Sequence, residues 1–374
     1  MKFLLTCGGT AGHINPALGV AERLRELMPD SEFMFVGAEG RMECDLVPRE
    51  GFPIKTVKIT NIRRGLSLEM IKHNIATAKN VLAATKQAKQ IIKEFQPDVA
   101  VGTGGYVCYP VLKAAAAMGI PTAVHESNAV PGLTTKMLSG VVDSIMVGFE
   151  ESRSQYRYPE RVTVTGTPVR EEFRSGSKSA ARAELGIPDD VSLVVSVWGS
   201  LGSDYMNEIM VSFIERACHK PSMNIIHSAG TRGYKHMLDR LKEEGAEEFS
   251  SKGIDVREYI YDMGLVMRAA DIVMCRAGAS TLSELAAMGK PAILVPSPNV
   301  TNNHQEKNAR VLENAGAAKV FLEGRFTADS LIGTVSDLLE DKALLDEMSR
   351  NMRALSVDDP TERITEIILS LAHK

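Results

Sequence analysis

The sequence predicts an α/β protein with two doubly wound parallel sheets, and three observations support this fold class. Short β-rich runs alternate with stretches of helical periodicity along most of the chain. Glycine-rich or polar segments directly follow several of the β-rich runs. The chain has 374 residues, enough for about two domains, and the alternation restarts after a Gly-, Ser- and Thr-rich stretch at 166–179.

The composition is typical of a globular protein, with 44% hydrophobic residues, 24% charged residues and a net charge of −4. It excludes a disordered chain, a collagen-like fibre and a membrane-spanning bundle, because no run approaches about 18 apolar residues. The five cysteines are never spaced C-x-x-C, which predicts a reducing compartment and neither a disulfide framework nor a structural zinc site. The apolar run at the N-terminus is too short for a signal peptide.

In the first half, strands and helices are predicted in alternation. The first helix is expected at 16–27, with Asn15 as its N-cap and Pro16 at its first position. A long helix is expected at 71–95. The predicted strands are 2–6, 32–36, 55–57, 99–101, 122–124 and 144–147.

The second half repeats this pattern and ends in helix. The predicted strands are 193–197, 224–227, 255–259, 272–275 and 292–295. Residues 328–372 are expected to be helical, with Pro360 dividing them into two pieces. We therefore predict domains at 1–167 and 168–350, and a helical segment at 351–374 that packs back toward the N-terminal domain.

Doubly wound sheets bind ligands beyond the carboxyl ends of their strands, so the loops there are the candidate sites. Residues 7–13 join the first strand to the first helix, where glycines permit a close approach and free N–H groups favour an anion. The loop matches neither a P-loop nor a dinucleotide fingerprint. It is either a ligand site or a tight turn, and His13 is either a general base or a packed capping residue.

Further loops of this kind occur in both halves. In the first half, residues 102–106 and 125–128 follow strands, and the second of these loops adds the titratable His125 and Glu126. In the second half, residues 198–203 have the composition of a diphosphate cradle. Residues 276–284 follow a strand and open a helix.

Glu284 has two interpretations. It accepts hydrogen bonds from sugar hydroxyls, or it forms a capping box with Thr281; in the first case Ser280 supplies the helix cap instead. No metal-binding motif is present, so we expect helix N-termini, backbone amides and Arg170 to stabilise a bound anion.

Seven segments occur in an order that resembles the MurG family of bacterial N-acetylglucosaminyltransferases, and the resemblance covers about residues 3–320. The segments are 8–13, 104–106, 125–128, 166–170, 199–202, 276–284 and 304–309. The resemblance implies a GT-B fold, in which two Rossmann-like domains face each other across a cleft. The domain at 1–167 would face the acceptor and the membrane, and the domain at 168–350 would bind UDP-GlcNAc.

The activity implied by the resemblance is an inverting, metal-independent transfer of N-acetylglucosamine from UDP-GlcNAc to the muramyl 4-hydroxyl of lipid I, which gives lipid II. His13 is the first candidate for the base and Glu126 the second. No cofactor and no metal are implied. The implied substrate-binding residues are Thr10, Ala11, Gly12, Asn128, Arg170, Ser200, Ile260, Ala279, Ser280, Thr281, Leu282, Ser283, Glu284 and Gln305.

The resemblance also gives each of these residues a role. Residues 10–12 would line the diphosphate side of the cleft, and Asn128 and Gln305 would hold the donor sugar. Arg170 and Ser200 would contact the phosphates, and Ile260 would pack near uracil. Residues 279–284 would hold the diphosphate and the ribose.

An undecaprenyl-linked acceptor implies contact with an anionic membrane surface, at the cytoplasmic face of the cell membrane, and other cell-wall synthesis proteins as further partners. No nucleic-acid partner is expected. A basic set lies on or before the helix at 71–95, among apolar residues, and is either this contact or an ordinary solvated helix face. It comprises Arg63, Arg64, Lys72, Lys79, Lys86, Lys89 and Lys93.

Three other functions stay open from the sequence. One is transfer of a sugar from a UDP-sugar to another lipid such as diacylglycerol. The second is a UDP-GlcNAc epimerase on the same fold. The third is a catalytically silent scaffold for cell-wall synthesis proteins, which would bind the donor without turnover.

Overall fold

The chain divides into two compact units. The structure, a computed structural model, describes residues 1–60, 68–199, 201–218, 223–246 and 248–373, with only the backbone at 68–79, 252 and 301. Unit 1 comprises Met1–Val169 and Val357–Lys374, and unit 2 comprises Arg170–Ser356. The predicted α/β class is confirmed, because each unit contains a parallel sheet flanked by helices. The predicted domain boundaries and their substrate assignments stay predictions.

The described part of unit 1 forms a seven-stranded parallel sheet in the order β3-β2-β1-β4-β5-β6-β7. The order reverses at β1, the place where ligands of doubly wound sheets bind. The strands are β1 (Lys2–Thr6), β2 (Glu32–Ala38), β3 (Ile54–Val57), β4 (Val99–Gly102), β5 (Thr122–Glu126), β6 (Ser144–Val147) and β7 (Val162–Val164).

Helices cover both faces of this sheet, and each face has its own apolar core. One core includes residues of α1 and α14, and the other includes residues of α3, α4 and α5. The helices of unit 1 are α1 (Ala11–Leu27), α2 (Glu43–Arg49), α3 (Leu68–Phe95), α4 (Cys108–Ala117), α5 (Leu133–Leu138) and α14 (Pro360–Ala372). Among the described residues, no helix is long and apolar enough to cross a membrane.

The predicted start of α1 is wrong. The helix begins at Ala11, with Thr10 as its N-cap, so Asn15 and Pro16 lie inside it. The N–H groups of His13 and Ile14 both donate to Thr10 O, which closes the first turn ahead of the proline. The glycine loop therefore passes directly into the helix, and the local preference of Asn15 and Pro16 for a helix start is overridden.

Unit 2 repeats the arrangement, with a six-stranded parallel sheet in the order β10-β9-β8-β11-β12-β13 over its described residues. Its strands are β8 (Ser192–Val197), β9 (Met223–Ser228), β10 (Ile254–Arg257), β11 (Ile272–Cys275), β12 (Ala292–Leu294) and β13 (Ala318–Val320). Its helices are α6 (Lys178–Leu185), α7 (Asp204–Ala217), α8 (Gly230–Glu243), α9 (Met263–Ala269), α10 (Ala279–Met288), α11 (His304–Asn314), α12 (Ala328–Glu340) and α13 (Lys342–Ala354).

The C-terminal stretch contains three helices, α12, α13 and α14, and not the two that were predicted. The additional break lies at Asp341, whose carboxylate accepts a hydrogen bond from Leu344 N at 2.9 Å and caps α13. Pro360 begins α14, as its fixed φ favours. The apolar side chains of α14 belong to the same core as α1, and Arg23 Nε donates to Glu362 Oε2 at 2.8 Å.

Candidate active site

In unit 1, the loop between β1 and α1 presents backbone toward solvent. Residues 9–12 are exposed, and Gly9 has a φ of +88°, which favours glycine. The loop contains three of the predicted binding residues, Thr10, Ala11 and Gly12. Because it leads directly into α1, its free N–H groups lie at the positive end of a helix dipole.

The loop after β4 packs against this first loop. The Thr103 hydroxyl donates to the His13 carbonyl at 2.6 Å. A Cβ on Gly105 would lie 2.3 Å from Gly8 O, and one on Gly104 would lie 2.5 Å from the His13 ring. These two positions therefore require glycine, and the loops after β1 and β4 lie in direct contact within unit 1.

His13 lies in the first turn of α1 and is half-buried. Its Nδ1 is 3.1 Å from Gly8 O and 3.3 Å from Thr10 Oγ1. Since a carbonyl only accepts hydrogen bonds, the contact with Gly8 O assigns the proton of a neutral imidazole to Nδ1. The lone pair is then on Nε2, the atom that a general base uses.

Glu126 is buried at the end of β5, and its carboxylate is surrounded by donors of the following loop and of the first turn of α5. Oε1 accepts from Asn128 N at 3.0 Å and from Asn128 Nδ2 at 2.9 Å. Oε2 accepts from Gly132 N at 2.8 Å and from Thr135 Oγ1 at 2.6 Å. This geometry suits a residue that orders the loop and orients the Asn128 amide.

His125 is fully buried, and this burial lowers the pKa of its imidazole. Its Nε2 donates to Gly166 O at 2.8 Å, and its Nδ1 is 3.4 Å from Ser127 Oγ. The ring therefore ties β5 to the segment after β7. It is a structural group in this unit.

In unit 2, the loop after β8 contacts the loop after β9. A Cβ on Gly202 would lie 2.0 Å from Ala229 O, and one on Gly230 would lie 2.1 Å from Gly202 N. Both glycines have positive φ values. The predicted phosphate contact Ser200 lies outside the described residues.

Arg276, at the end of β11, connects three segments around this loop. It donates from Nη2 to Ser203 Oγ at 2.8 Å and from Nη1 to Val295 O at 3.0 Å. It also pairs with Glu323 at 2.6 Å, and both side chains are largely buried. The guanidinium thus holds the N-cap of α7 and the chain after β12 in fixed positions.

Both capping interpretations of residues 280–284 are wrong. Gly278 is the N-cap of α10 and no side chain caps it, so Thr281 and Glu284 lie inside the helix. Ser283 Oγ donates to Ala279 O at 3.1 Å. Ser280 Oγ is buried and has no hydrogen-bond partner, so the helix start contains an unused polar group.

Glu284 is directed toward a cluster of charges. Burial raises the pKa of its carboxyl to about 7, with Arg170 opposing and Glu172 adding to this shift. Arg170 Nη2 is 3.9 Å from Glu284 Oε1, and Arg170 Nη1 is 2.7 Å from Glu172 Oε1. The Arg170 side chain is 60% exposed, so it is accessible to an anionic ligand.

The remaining predicted residues occupy different environments. Ala279 and Leu282 are buried in α10, whereas Thr281 is partly exposed. Ile260 follows β10 and is buried, so only its backbone is positioned to meet a ligand. Gln305, in the first turn of α11, accepts from Ser297 N at 2.9 Å, which fixes the orientation of its amide.

Sequence reasoning missed several residues that organise these loops: Glu43, Thr103, Arg276 as a linking residue, and Glu323. Glu43 follows the carboxyl end of β2, a position that could have identified it. Its contact with Gly9 spans 34 residues and has no local signal.

Comparison with known proteins identifies the class of enzyme to which this chain belongs. Residues 3–147 match the Glycosyltransferase family 28 N-terminal domain and residues 193–364 match the Glycosyltransferase family 28 C-terminal domain, so the chain is a glycosyltransferase of family 28. A MurG crystal structure from Acinetobacter baumannii is 26% identical, with a TM-score of 0.79 and 99% of each chain covered. The expected two-domain GT-B fold is therefore confirmed.

The relatives narrow the class to one family. Proteins named UDP-N-acetylglucosamine–N-acetylmuramyl-(pentapeptide) pyrophosphoryl-undecaprenol N-acetylglucosamine transferase are 42% identical in both Acetivibrio thermocellus and a Thermoanaerobacter species. The matches cover 98% and 99% of this chain and 97% and 100% of those proteins, respectively. The chain belongs to glycosyltransferase family 28 and, within it, to the MurG family.

A UDP-GlcNAc 2-epimerase from Neisseria meningitidis, solved with UDP-GlcNAc bound, is also similar in structure. It is 14% identical, with a TM-score of 0.66 over 99% of this chain and all of that one. At this identity the likeness shows a shared fold alone. The epimerase alternative gains no support from it.

Proposed function

We propose that this glycosyltransferase transfers N-acetylglucosamine from UDP-GlcNAc to the muramyl 4-hydroxyl of undecaprenyl-linked lipid I, with inversion, and so forms lipid II. The observation that carries the proposal is the 42% identity, over 98% of the chain, to a relative named for this transfer. The geometry of the two loop clusters supports the chemistry.

In the proposed reaction, the acceptor hydroxyl gives its proton to His13 Nε2 while its oxygen attacks the anomeric carbon of the donor sugar. The bond from that carbon to the phosphate oxygen breaks, and UDP leaves with the electron pair. The contact between His13 Nδ1 and Gly8 O supports this role, because it assigns the lone pair to Nε2.

Glu126 is the weaker candidate for the base. Its carboxylate accepts four hydrogen bonds from the following loop and the first turn of α5, two on each oxygen. We assign it the role of orienting Asn128, which would contact the donor sugar.

The donor would bind to unit 2 mainly through its phosphates. The N-terminus of α10 supplies free N–H groups, Ser280 adds a hydroxyl without a partner, and the exposed Arg170 adds a cation. Glu284 would accept hydrogen bonds from the ribose, and Gln305 would bind the sugar. Ile260 would meet the uracil through its backbone.

A lipid-linked acceptor places the enzyme at a membrane, which we propose to be the cytoplasmic face of the cell membrane. Lys86, Lys89 and Lys93 on α3 are exposed, and so is Leu82, at 74%. Leu133, Met137 and Val141 add exposed apolar area at a spacing of four residues. Such a mixed surface suits anionic lipid.

The other four members of the proposed basic set have no described side chains. Arg63 and Arg64 lie outside the described residues, as do the side chains of Lys72 and Lys79. Other cell-wall synthesis proteins as partners are part of the same proposal.

Radiolabelled UDP-GlcNAc offered with lipid I, with diacylglycerol, or with no acceptor tests the activity. We expect label in lipid II alone, with and without a chelator. Label only in a glycolipid would remove the acceptor assignment. Conversion of the donor sugar without an acceptor, detected by proton NMR, would indicate an epimerase. Binding of UDP-GlcNAc without any turnover would indicate a scaffold.

Vesicle sedimentation tests the membrane surface. The double variant Lys86→Glu/Lys89→Glu should bind anionic vesicles at least tenfold more weakly, because each lysine near the surface contributes about 1 kcal/mol. Lys235→Glu/Lys242→Glu on α8 is the matched control, since both lysines are exposed in unit 2. Equal losses in the two double variants would rule out a specific surface on α3.

A further inference from the structure

One peptide group of the first glycine loop lies between the side chains of Glu43 and His13. Its N–H, on Gly9, donates to Glu43 Oε2 at 3.1 Å. Its carbonyl, on Gly8, is 3.1 Å from His13 Nδ1. The N–H and C=O of a trans peptide are coplanar and point in opposite directions. Glu43 and His13 are therefore connected through a single peptide unit.

Glu43 is held firmly in this position. It is the first residue of α2, its exposure is 0%, and its Oε1 accepts from Ala38 N at 2.9 Å. The carboxylate thus bridges the end of β2 and the glycine loop. A buried carboxylate that bridges two backbone amides cannot move without breaking hydrogen bonds to both.

The neighbouring glycines make room for this carboxylate. A Cβ on Gly8 would lie 2.4 Å from Glu43 Oε1, and a Cβ on Gly37 would lie 2.5 Å from Glu43 Cγ. The positive φ of Gly9 sets the orientation of the shared peptide. Three glycines therefore serve the placement of one acidic side chain.

We propose that Glu43 is a positioning residue for His13, acting through the Gly8–Gly9 peptide to hold the imidazole with its proton on Nδ1. The carboxylate polarises the peptide by accepting from its N–H, and this strengthens Gly8 O as an acceptor for Nδ1–H. Nε2 then keeps its lone pair toward the acceptor hydroxyl. This role rests on the proposed function, in which His13 is the base.

A double-mutant cycle separates positioning from general support of the fold. Glu43→Gln keeps the shape of the side chain but has only one amide oxygen to accept with. We expect kcat to fall about 10-fold to 100-fold. In a His13→Ala background, Glu43→Gln should cause no further loss, because the group it positions is gone. Equal losses of kcat in both backgrounds would overturn the proposal.

The tautomer of His13 provides a second readout that needs no acceptor. In ¹⁵N NMR of the imidazole, the wild type should show the proton on Nδ1, and Glu43→Gln should show a mixture of tautomers. Gly8→Ala should do the same, because its Cβ displaces the carboxylate without removing it. The exposed Glu39→Gln, next to the end of β2, is the control and should leave the spectrum unchanged.

The two readouts distinguish the possible failures. If the wild type transfers no sugar to lipid I but the tautomer depends on Glu43, the proposed acceptor is wrong and the positioning role stands. If lipid I is glycosylated and the Nδ1–H tautomer persists in both Glu43→Gln and Gly8→Ala, the positioning role is wrong.

Discussion

The two glycine loops of this enzyme, one after β1 in unit 1 and one after β8 in unit 2, occupy equivalent positions in sheets of matching strand order. Each loop is bound by a charged side chain, and the two side chains have opposite charges. The carboxylate of Glu43 binds the first loop at Gly9 N, and the guanidinium of Arg276 binds the second at Ser203 Oγ. Loops at equivalent positions of the same sheet topology can therefore be stabilised by a carboxylate or by a guanidinium.

The opposite charges at the two loops suit two different tasks, proton acceptance at the first loop and diphosphate binding at the second. The Glu43 carboxylate, which accepts from Gly9 N, suits a loop that carries a proton acceptor, His13. Two cations of unit 2, Arg276 at the second loop and Arg170 beside Glu284 of α10, suit a diphosphate. We expect changes in unit 1 to act mainly on kcat and changes in unit 2 to act mainly on the binding of UDP-GlcNAc.

The largest effect is expected from His13→Ala. Loss of a general base should lower kcat by about 10²–10⁴ while the Kd of UDP-GlcNAc changes little. Steady-state kinetics with lipid I and calorimetry with UDP-GlcNAc would measure the two quantities. A near-normal kcat would show that His13 is not the base.

Arg276→Met should cost about 3–5 kcal/mol of unfolding free energy, because it leaves Glu323 buried without its cation. The KM for UDP-GlcNAc should also rise, since Ser203 and Val295 lose their shared donor. The double variant Arg276→Met/Glu323→Leu should recover stability but not donor affinity. Urea denaturation and initial-rate kinetics would test both expectations, and recovery of donor affinity would assign Arg276 a role in stability only.

Glu284→Gln is expected to change both the pH dependence of stability and the affinity for UDP-GlcNAc. Burial raises the pKa of Glu284 from 4.5 to about 7, so between these values the folded protein holds a proton that the unfolded chain releases. The wild type should therefore lose up to about 3 kcal/mol from this group as pH rises from 5 to 8. The variant should lack this loss and bind UDP-GlcNAc more weakly. Thermal melts of the wild type and the variant at pH 5 and pH 8 would detect the difference in stability. An identical pH dependence in both proteins would show that Glu284 is not the group that titrates.

The smallest effect is expected from Ser280→Ala. The Ser280 hydroxyl is buried without a partner, so its removal should stabilise the free protein by about 1 kcal/mol. The KM for UDP-GlcNAc should nevertheless rise several-fold, because the hydroxyl is available to a phosphate. Ser283→Ala is the control, since that hydroxyl already donates to Ala279 O. Melting curves with and without UDP-GlcNAc distinguish the two serines, and equal behaviour would remove Ser280 from the donor site.

Much of the fold was predictable from local pattern. The bounds of β1, β6 and β11 were predicted correctly, because short runs of mostly buried apolar residues end at clear polar or glycine signals. The strands β7 and β13 were missed, because each has only three residues with an exposed polar one, Thr163 or Lys319, in the middle, whereas the equally short β12 is apolar throughout. The start of α1 was misplaced because Asn15 and Pro16 give a strong local signal that the glycine loop overrides.

The candidate site was predictable in part. The positions of His13, Asn128 and Glu284 shortly after predicted strands follow from the alternation of strands and helices, whereas the contacts that orient these residues do not. Glu43 and Glu323 act across long stretches of sequence, so no spacing rule identifies them. The capping box at Thr281 failed because the sequence motif does not specify where the helix begins.

The return of α14 to unit 1 has a consequence for synthesis on the ribosome. Unit 2 is continuous in sequence, whereas unit 1 lacks Ile364, Ile368 and Leu371 in its core until the segment after residue 356 has emerged. The half that is translated first is therefore completed last. A nascent chain stalled before α14 would present the apolar face of α1 to chaperones, although every residue of unit 2 has already been translated.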